Sequence, residues 1–409
     1  NQSKDFFLEK SMSNLEQFRS STREWLKDNC PSSCQGPDNA LPDIIWGGRL
    51  QEYPDADVKD WMDKLVAKGW TVPSWPQKYG GAGLSKEEEK VLREEMSAIG
   101  TYSPLYSFGI SMLAPALMEY ATEEQKIEHL PKVASGEIRW CQGYSEPGAG
   151  SDLASLQCKA VRDGDDYVIN GQKVWTSTAD VSDWIFCLVR TDPNAAKHDG
   201  ISFVLIDMAS EGVSTKPIEL ISGASPFCET FFDNVRVPVS NRIHEENKGW
   251  SVAKALLLHE RTMLAETSRG AGNVQERRSL LQVARDAVEQ HEGVIADTSM
   301  RNEIAQTQMD TMCYEATLQR TMEAAKAGQG MGPEGSMFKL YLSELNQRKA
   351  DLRQRINGAD SLIWDGEDFN QEDKEITREW LYGKASTILG GTSEIQLNII
   401  SKRVLGLPD

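Results

Sequence analysis

The N-terminal third of the chain carries apolar residues at helical spacing. One stripe within the first thirty residues consists of Leu8, Met12, Leu15, Phe18 and Leu26. Such a stripe predicts an amphipathic helix that packs one face against a core, and a second helix is predicted near residues 57–68. Two capping boxes mark further helix starts, namely Ser85 with Glu88 and Thr122 with Gln125. The pattern predicts an all-α domain over residues 1–136.

Near residue 137 the helical period gives way to short β-prone runs. These runs lie at residues 167–175, 184–189, 201–206 and 235–239. Asn170-Gly171 interrupts the first run, and this dipeptide is a strong signal for a tight turn. No long helical period returns before residue 249, so residues 137–248 are predicted to form an all-β domain.

The C-terminal part of the chain again shows a helical period, in four long segments. They lie near residues 250–290, 299–327, 333–360 and 371–404. Long helices with short connections predict a bundle over residues 249–409. The order of the domains is all-α, all-β, all-α, and the absence of β-α-β alternation argues against a Rossmann fold.

Charge and composition exclude several classes of protein. The 409 residues carry a formal net charge of −18, which is unsuited to nucleic acid or an anionic membrane as the main partner. No apolar stretch reaches the ~20 residues of a spanning helix, and the N-terminus shows no secretion signal. Seven cysteines without a CxxC pair predict reduced thiols, and no metal site is expected.

Three polar and glycine-containing segments carry the candidate chemistry. They are residues 140–152, which end in Gly-Ala-Gly-Ser-Asp, residues 170–177, and residues 390–396 followed by 402–406. Backbone N–H groups at Gly148 and Gly150, with the Ser151 hydroxyl, could hold a pyrophosphate. Taken alone, the first segment is more typical of a surface turn. In this order and spacing, the three segments resemble the acyl-CoA dehydrogenase family over essentially the whole chain.

The resemblance implies an α+β fold: an N-terminal all-α domain, a middle β-barrel or sandwich and a C-terminal four-helix bundle. It also implies FAD as cofactor. Tyr144 and Ser145 match residues that line the flavin pyrimidine ring and back the acyl thioester. Ser151 matches a hydroxyl that meets the pyrophosphate or the CoA phosphate. Trp175 matches an aromatic residue at the flavin edge; alone, it could equally be a core aromatic.

Further positions follow from the same motifs. Ser177 matches a hydroxyl that hydrogen-bonds flavin N5, and Thr392 and Glu394 match positions near the adenosine half of FAD. Neighbouring motif positions complete the expected site: Gln142, Gly150 and Gly391 toward the cofactor, and Ser145, Ser151, Arg261 and Gly390 toward the substrate. The Arg-rich Phe-Gly segment that often contacts the neighbouring subunit's FAD has no clear match between Arg269 and Gln290.

The catalytic base is expected at Glu260. Many family members carry the carboxylate in the slot that Gly390 occupies here, whereas others carry it on the first bundle helix, just before an Arg. The helical neighbours of Glu260 are all apolar, namely Leu256, Leu257, Met263 and Leu264. Burial on such a stripe favours the neutral acid and can raise a Glu pKa by as much as ~3–5 units. A buried ion pair is the alternative reading of Glu260, and His259 is interpreted as a surface or pocket-wall residue.

The implied reaction is α,β-dehydrogenation of an acyl-CoA thioester to the trans-2-enoyl-CoA. Glu260 would abstract the α-proton and flavin N5 would take the β-hydride, with an electron-transferring flavoprotein as acceptor. A homotetramer is expected, with an α2β2 heterotetramer as the alternative, in the bacterial cytoplasm or the mitochondrial matrix. Two alternatives stay open: an acyl-CoA oxidase or flavin monooxygenase on the same scaffold, and a non-catalytic subunit or assembly factor. The acyl group is open, with bulky, branched or ω-functionalised chains favoured by analogy.

Overall fold

The structure is a computed structural model, and it forms two compact units. The described residues are 2–36, 45–257, 279–324, 332–369 and 371–408, with side chains from Asn14 onward. Unit 1 comprises Asn1–Pro217 and Phe227–His259, and unit 2 comprises Ile218–Pro226 and Glu260–Asp409. Within the described residues, no helix is both long and apolar enough to cross a membrane.

Unit 1 begins with five helices. They are α1 (Gln2–Asn29), α2 (Ala56–Lys68), α3 (Lys86–Ala98), α4 (Ala114–Tyr120) and α5 (Glu123–Ala134). Both predicted capping boxes are confirmed, because Ser85 and Thr122 each accept a hydrogen bond from the N3 backbone. The core of the first three helices is aromatic: Trp25 packs against Trp61 and Trp70 with ring centroids 5.8 and 4.6 Å away.

The middle of unit 1 is a β-sheet. Its strands are β1 (Trp140–Gly143), β2 (Lys159–Asp163), β3 (Asp166–Ser177), β4 (Trp184–Arg190), β5 (Ile201–Asp207), β6 (Val213–Ile218), β7 (Phe227–Pro238) and β8 (Arg242–Ile243). The strand order is β6-β7-β3-β2-β4-β5-β8, with β1 parallel to β4. A helix over residues 249–257, named α6, follows the sheet.

Strand β4 is buried on both of its faces. It packs against β3 and β7 on one face and against helices of unit 1 on the other. Ile185 and Cys187 pack into one apolar cluster with residues of β3 and β7. Phe186 and Leu188 point the other way, into a cluster shared with α4, α5 and α6. The continuous apolar run at residues 184–189 is therefore typical of a strand that is covered on both sides.

The predicted tight turn at Asn170-Gly171 is wrong, because both residues lie inside β3. Asn170 accepts a hydrogen bond from the Asn234 backbone N–H at 2.9 Å, across a bulge in β7. Gly171 is required by a close approach: a Cβ there would lie 2.7 Å from Cys158 Cα, and its φ is +152°. The chain turns earlier, at residues 164–165, between β2 and β3.

The described part of unit 2 is mainly helical, with one short hairpin and the non-helical segment Ile218–Pro226. Its elements are α7 (Leu280–Ala287), the hairpin strands β9 (Gln290–His291) and β10 (Val294–Ile295), α8 (Thr298–Ala324), α9 (Gly335–Asn357), α10 (Gln371–Gly383) and α11 (Ser393–Ile399). Apolar side chains of α7, α8 and α9 share one cluster, which includes Val283, Ile304 and Leu352.

Two of the four predicted bundle helices are interrupted. The segment near 250–290 is not one helix, since α7 begins only at Leu280, after the N-cap residue Ser279, whose φ of −56° and ψ of 153° are not helical. The segment near 371–404 is broken between α10 and α11, where Gly390 and Gly391 have positive φ values. A right-handed helix cannot continue through such residues. The order of a helical domain, a β domain and a helical region is confirmed; the exact domain boundaries stay predictions.

Candidate functional site

Strand β1 brings the first predicted cofactor residues to the end of a buried strand. It pairs with β4 in parallel, with Gln142 opposite Phe186 and Gly143 opposite Cys187. Tyr144 follows directly, and its ring lies edge-on to Phe186 and Phe203 at 6.2 and 6.4 Å. The aromatic packing fixes where the next residue, Ser145, leaves the sheet.

The loop that follows, residues 144–158, is built around a tight turn. The backbone groups of Glu146 and Ala149 exchange two hydrogen bonds of 2.9 and 3.0 Å. A Cβ added at Gly148 or Gly150 would meet no atom within 4 Å, and neither glycine has a positive φ. The fold itself would accept side chains at both positions, so close approach by a ligand explains the glycines better than the turn does. Ser151 is exposed beside them.

A buried ion pair lies beneath this loop. Lys173 of β3 is fully buried and its Nζ donates to Glu146 Oε1 at 2.8 Å. The same ammonium donates to the Tyr144 carbonyl at 3.1 Å. The Glu146 carboxylate also accepts from the backbone N–H groups of Gln157 and Cys158, at 2.6 and 2.9 Å. The pair therefore joins both ends of the loop to β3.

Sequence reasoning missed this pair, although a signal was available. Lys173 shares the alternation of Tyr167 and Ile169, which are buried on one face of β3. A lysine on such a face requires a carboxylate partner, because an unpaired buried charge is costly. The alternation of buried residues along β3 continues from Ile169 to Lys173, because the bulge between them adds its extra residue to β7 and not to β3.

Trp175 lies in a second bulge of the same strand pair. Lys173 is opposite Thr230 whereas Thr176 is opposite Cys228, so β3 has one extra residue there. Trp175 has a φ of 61°, and its side chain is 53% exposed. Its ring meets Phe227 edge-on at 6.1 Å. A bulky residue in left-handed backbone is an outlier, and such strain clusters at functional sites.

The loop and the bulge are directly connected. The Val174 N–H donates to the Ser145 carbonyl at 2.9 Å. Ser177 ends β3 opposite Phe227, two residues beyond Trp175. The structure therefore brings together Tyr144, Ser145, Trp175 and Ser177, which were predicted from separate motifs, where β1 and β3 end. We call this region the β1–β3 end.

Polar atoms without partners support a ligand at the β1–β3 end. The Gln142 Nε2 atom is buried and has no hydrogen-bond partner among the described residues, and the same holds for Thr176 Oγ1. Buried polar groups are nearly always paired, so these atoms fit a cofactor that supplies acceptors. Together with the open space at Gly148 and Gly150, they fit a large polar group such as FAD.

Unit 2 contains the terminal motif, residues 390–396. Its first two residues are glycines, whose backbone carbonyls accept hydrogen bonds. Gly390 and Gly391 have φ values of 64° and 94° and precede Thr392, which caps α11 by accepting from the Ile395 N–H. The Gln396 amide donates to the Gly390 carbonyl at 3.0 Å, and Lys339 Nζ donates to the Gly391 carbonyl at 2.7 Å. Burial lowers the pKa of Lys339.

Glu394 lies in the first turn of α11 and is exposed. Its backbone N–H, and then the Thr392 side chain, lower the pKa of its carboxyl. The helix N-terminus therefore keeps this carboxylate ionised. The roles of Gly391, Thr392 and Glu394 toward FAD stay predictions.

Three residues of the predicted site region lie outside the described residues: Glu260, Arg261 and His259. The predicted base therefore has its support from sequence alone. Gly390, the alternative slot, has no side chain that could take a proton.

Four buried cysteines, Cys30, Cys34, Cys141 and Cys228, are poor nucleophiles. Burial raises the pKa of Cys141 to about 12, and Cys30, Cys34 and Cys228 are shifted upward for the same reason. Within the part of the chain that the structure describes, no group of three His, Cys, Asp or Glu side chains could hold a metal ion.

Comparison with known proteins gives the same family along the whole chain. Its profiles match at residues 14–137 ("Acyl-CoA dehydrogenase, N-terminal domain"), 141–235 ("middle domain") and 247–405 ("C-terminal domain"). The acyl-CoA dehydrogenase IpdE1 of Mycobacterium tuberculosis is 35% identical over 397 residues, which are 97% of this chain and 99% of the relative.

Solved structures agree. The structure described as "Tcur3481-Tcur3483 steroid ACAD" is 30% identical, with a TM-score of 0.72 over 97% of this chain and 98% of the other. The ChsE4-ChsE5 complex from Mycobacterium tuberculosis is 29% identical, with a TM-score of 0.68 over 97% and 98% of the two chains. Profiles, relatives and fold agree over the full length, and this chain belongs to the acyl-CoA dehydrogenase family of oxidoreductases, whose members are generally FAD-dependent.

Proposed function

We propose that this protein binds FAD non-covalently and removes the α- and β-hydrogens of an acyl-CoA thioester, giving the trans-2-enoyl-CoA. One observation carries the proposal. The loop at Tyr144–Ser145 is hydrogen-bonded to the bulge that exposes Trp175. Residues from two family motifs therefore lie together at the β1–β3 end. The strained, exposed Trp175 and the unpartnered amide of Gln142, two residues before Tyr144, support a planar, polar ligand there.

In this proposal, the residues of unit 1 bind and orient the cofactor. The Gln142 amide and the hydroxyl groups of Ser151 and Ser177 are the hydrogen-bonding groups, and the Trp175 ring covers the apolar part. Tyr144 and Ser145 back the thioester. When bound, FAD supplies the two-electron acceptor for the β-hydride. The protein contributes placement and electrostatics, which need rigid support such as the packed β1 and β3 strands.

Glu260 is the proposed base that takes the α-proton on its carboxylate. The sequence supports this role, since the four helical neighbours of Glu260 are apolar and burial raises a Glu pKa toward neutrality. Gly390 strengthens the argument by exclusion. It occupies the slot where many family members carry the base, and it has no ionisable group.

The proposed substrate carries a bulky acyl group. One of the most similar solved structures is described as a steroid ACAD, which supports a ring-bearing acyl chain for this protein as well. A panel of three acyl-CoA substrates therefore tests the proposal: a straight-chain, a branched-chain and a polycyclic acyl-CoA.

A non-catalytic subunit is the competing proposal, and one observation favours it. Gly390 leaves the common base position without a side chain, and its left-handed φ of 64° disfavours any replacement there. The similar structure of ChsE4-ChsE5 is a complex of two different proteins. This likeness also supports an α2β2 assembly over the expected homotetramer. The molar mass in solution, alone and with a co-expressed partner, distinguishes the two assemblies.

The test is flavin binding followed by anaerobic reduction. We expect a yellow protein with one FAD per chain, which an acyl-CoA of the panel bleaches in the absence of oxygen. A protein that stays colourless after incubation with FAD would contradict the proposal. Bound FAD that no acyl-CoA bleaches would favour the non-catalytic subunit. Rapid reoxidation of the bleached protein by air would identify an oxidase, and transfer of electrons to an electron-transferring flavoprotein a dehydrogenase.

A further inference from the structure

The loop over residues 144–158 encloses three buried charged side chains that the proposed chemistry does not use. They are Glu146, Lys173 and Arg190, whose exposed fractions are 8%, 0% and 8%. The loop is also the segment whose outer residues, Gly148 to Ser151, are proposed to meet the cofactor. A buried charge is costly unless it is paired, so this cluster needs an explanation beyond packing.

Each of the three side chains holds loop backbone. Glu146 ties the loop's start to its end through the N–H groups of Gln157 and Cys158, at 2.6 and 2.9 Å. Arg190 donates from Nη2 to the Ala154 and Leu156 carbonyls, at 2.6 and 3.2 Å. The loop therefore has its shape from buried charge-assisted hydrogen bonds, which are stronger than neutral ones.

Lys173 links the loop to the Trp175 bulge. Its ammonium donates to Glu146 and to the Tyr144 carbonyl, at 2.8 and 3.1 Å. Lys173 is also the last paired residue of β3 before the bulge. A change in the position of Lys173 would therefore move Tyr144 and Trp175 together.

Arg190 also interacts with a carboxylate that lies beyond the loop. Burial lowers the pKa of Arg190, and the nearby carboxylates of Glu146 and Asp192 act against this shift. The two cations, Lys173 and Arg190, are therefore balanced by two carboxylates, and removal of Glu146 would leave this balance incomplete.

We propose that Glu146 and Lys173 are positioning residues for the cofactor: their buried pair sets the loop and the bulge in the geometry that binds FAD. The inference rests on the proposed function, because the proposed function assigns FAD to the β1–β3 end. Neither side chain needs to touch the cofactor. Removal of a residue that orients a metal ligand typically weakens metal binding by about 10- to 100-fold, and we expect a loss of the same order for FAD here.

The experiment measures FAD affinity of the apo-protein by quenching of flavin fluorescence. Glu146→Gln and Lys173→Met are each expected to raise the Kd for FAD by about 10- to 100-fold. Glu146→Asp keeps the charge and is expected to lie between these variants and the parent. The double variant Glu146→Gln/Lys173→Met removes both charges of the pair, so neither partner is left without the other and its Kd should rise no more than that of the worse single variant.

Glu95→Gln is the matched control. Glu95 is an equally buried carboxylate, with an exposed fraction of 5%, that pairs with Arg19 and Arg23 in the N-terminal helices. This variant should lower the melting temperature but leave the Kd for FAD unchanged. At saturating FAD, the visible circular dichroism of the bound flavin should change in the loop variants and not in the control.

The outcomes separate this inference from the proposed function. A parent protein that binds no FAD contradicts the proposed function. A parent that binds FAD, with loop variants that keep its Kd and its flavin spectrum, overturns only the positioning role. Where a single variant does not fold, Glu146→Asp and the double variant decide between the same two results.

Discussion

Trp175 and Gly390 both have a positive backbone φ, with nearly equal values of 61° and 64°. Both belong to motifs that predict cofactor contacts, one in each compact unit. At Gly390 the chain uses the one residue that adopts this conformation without cost. At Trp175 it places a large aromatic residue there, against its conformational preference.

The difference separates a position kept for its side chain from one kept for its backbone. The strain at Trp175 persists because the bulge between Lys173 and Thr176 and the neighbouring Phe227 ring over-determine it. The turn at Gly390 offers only backbone groups, whose carbonyls are held by Gln396 and Lys339. Chemistry that needs an ionisable group must therefore come from another residue.

The largest effect is expected from Glu260→Gln, which asks whether Glu260 supplies the carboxylate that Gly390 lacks. Loss of a positioned base slows proton transfer by roughly 10²–10⁴-fold. We expect the variant to bind FAD like the parent and to bleach that much more slowly with a cognate acyl-CoA, measured by anaerobic stopped-flow absorbance. Glu266→Gln, on the same predicted helix, is the control and should bleach at the parental rate. Equal rates for Glu260→Gln and the parent would make Glu260 a structural carboxylate.

A smaller effect is expected from Gly390→Glu, which places the common family carboxylate in the left-handed slot. The left-handed conformation costs an L-residue roughly 1–2 kcal/mol, so the free energy of unfolding should fall by about that amount. Gly390→Asn is the matched control and should cost less, because Asn tolerates this conformation. Denaturant unfolding measures both. A glutamate that is tolerated as well as asparagine would show that backbone strain does not keep this slot empty.

The sequence predicted features that depend on local interactions. Both capping boxes, at Ser85 and Thr122, formed as expected because their partners lie three residues away. The apolar run of β4 was predicted as a strand because burial on both faces needs no partner-specific information. The order of domains followed from the same changes of period.

Features that depend on distant residues were missed or wrong. Asn170-Gly171 carries a local turn signal, but the β7 bulge and the approach of Cys158 draw both residues into a strand. The Glu146–Lys173 pair joins residues that are 27 positions apart. The parity of Lys173 with Tyr167 indicated its burial, yet nothing local identified its partner. The strain at Trp175 arises only from the paired strands and is not visible in a single sequence.

The smallest effect is expected for two substitutions of Trp175. Which of the two variants is the more stable shows whether the backbone at Trp175, unlike that at Gly390, is strained. Trp175→Ala and Trp175→Gly both remove the indole, and both should weaken FAD binding. They differ in backbone only: alanine keeps the left-handed strain of roughly 1–2 kcal/mol, whereas glycine relieves it. Glycine in a strand interior normally costs about 0.5–1 kcal/mol relative to alanine. On average the relief exceeds this cost, so the glycine variant should be the more stable of the two, by up to roughly 1.5 kcal/mol.

Unfolding of the two apo-variants in denaturant, at equal protein concentration, measures this difference without any contribution from the cofactor. Val168→Gly and Val168→Ala, in the regular part of β3, give the ordinary order, with alanine the more stable. If glycine is also the less stable residue at position 175, the bulge imposes no strain on the tryptophan. The exposed ring would then need no functional explanation from its backbone, and the contrast with Gly390 would reduce to a difference in side chain. If glycine is the more stable residue and FAD affinity falls, the fold holds Trp175 in an unfavourable conformation at a position where binding needs its ring.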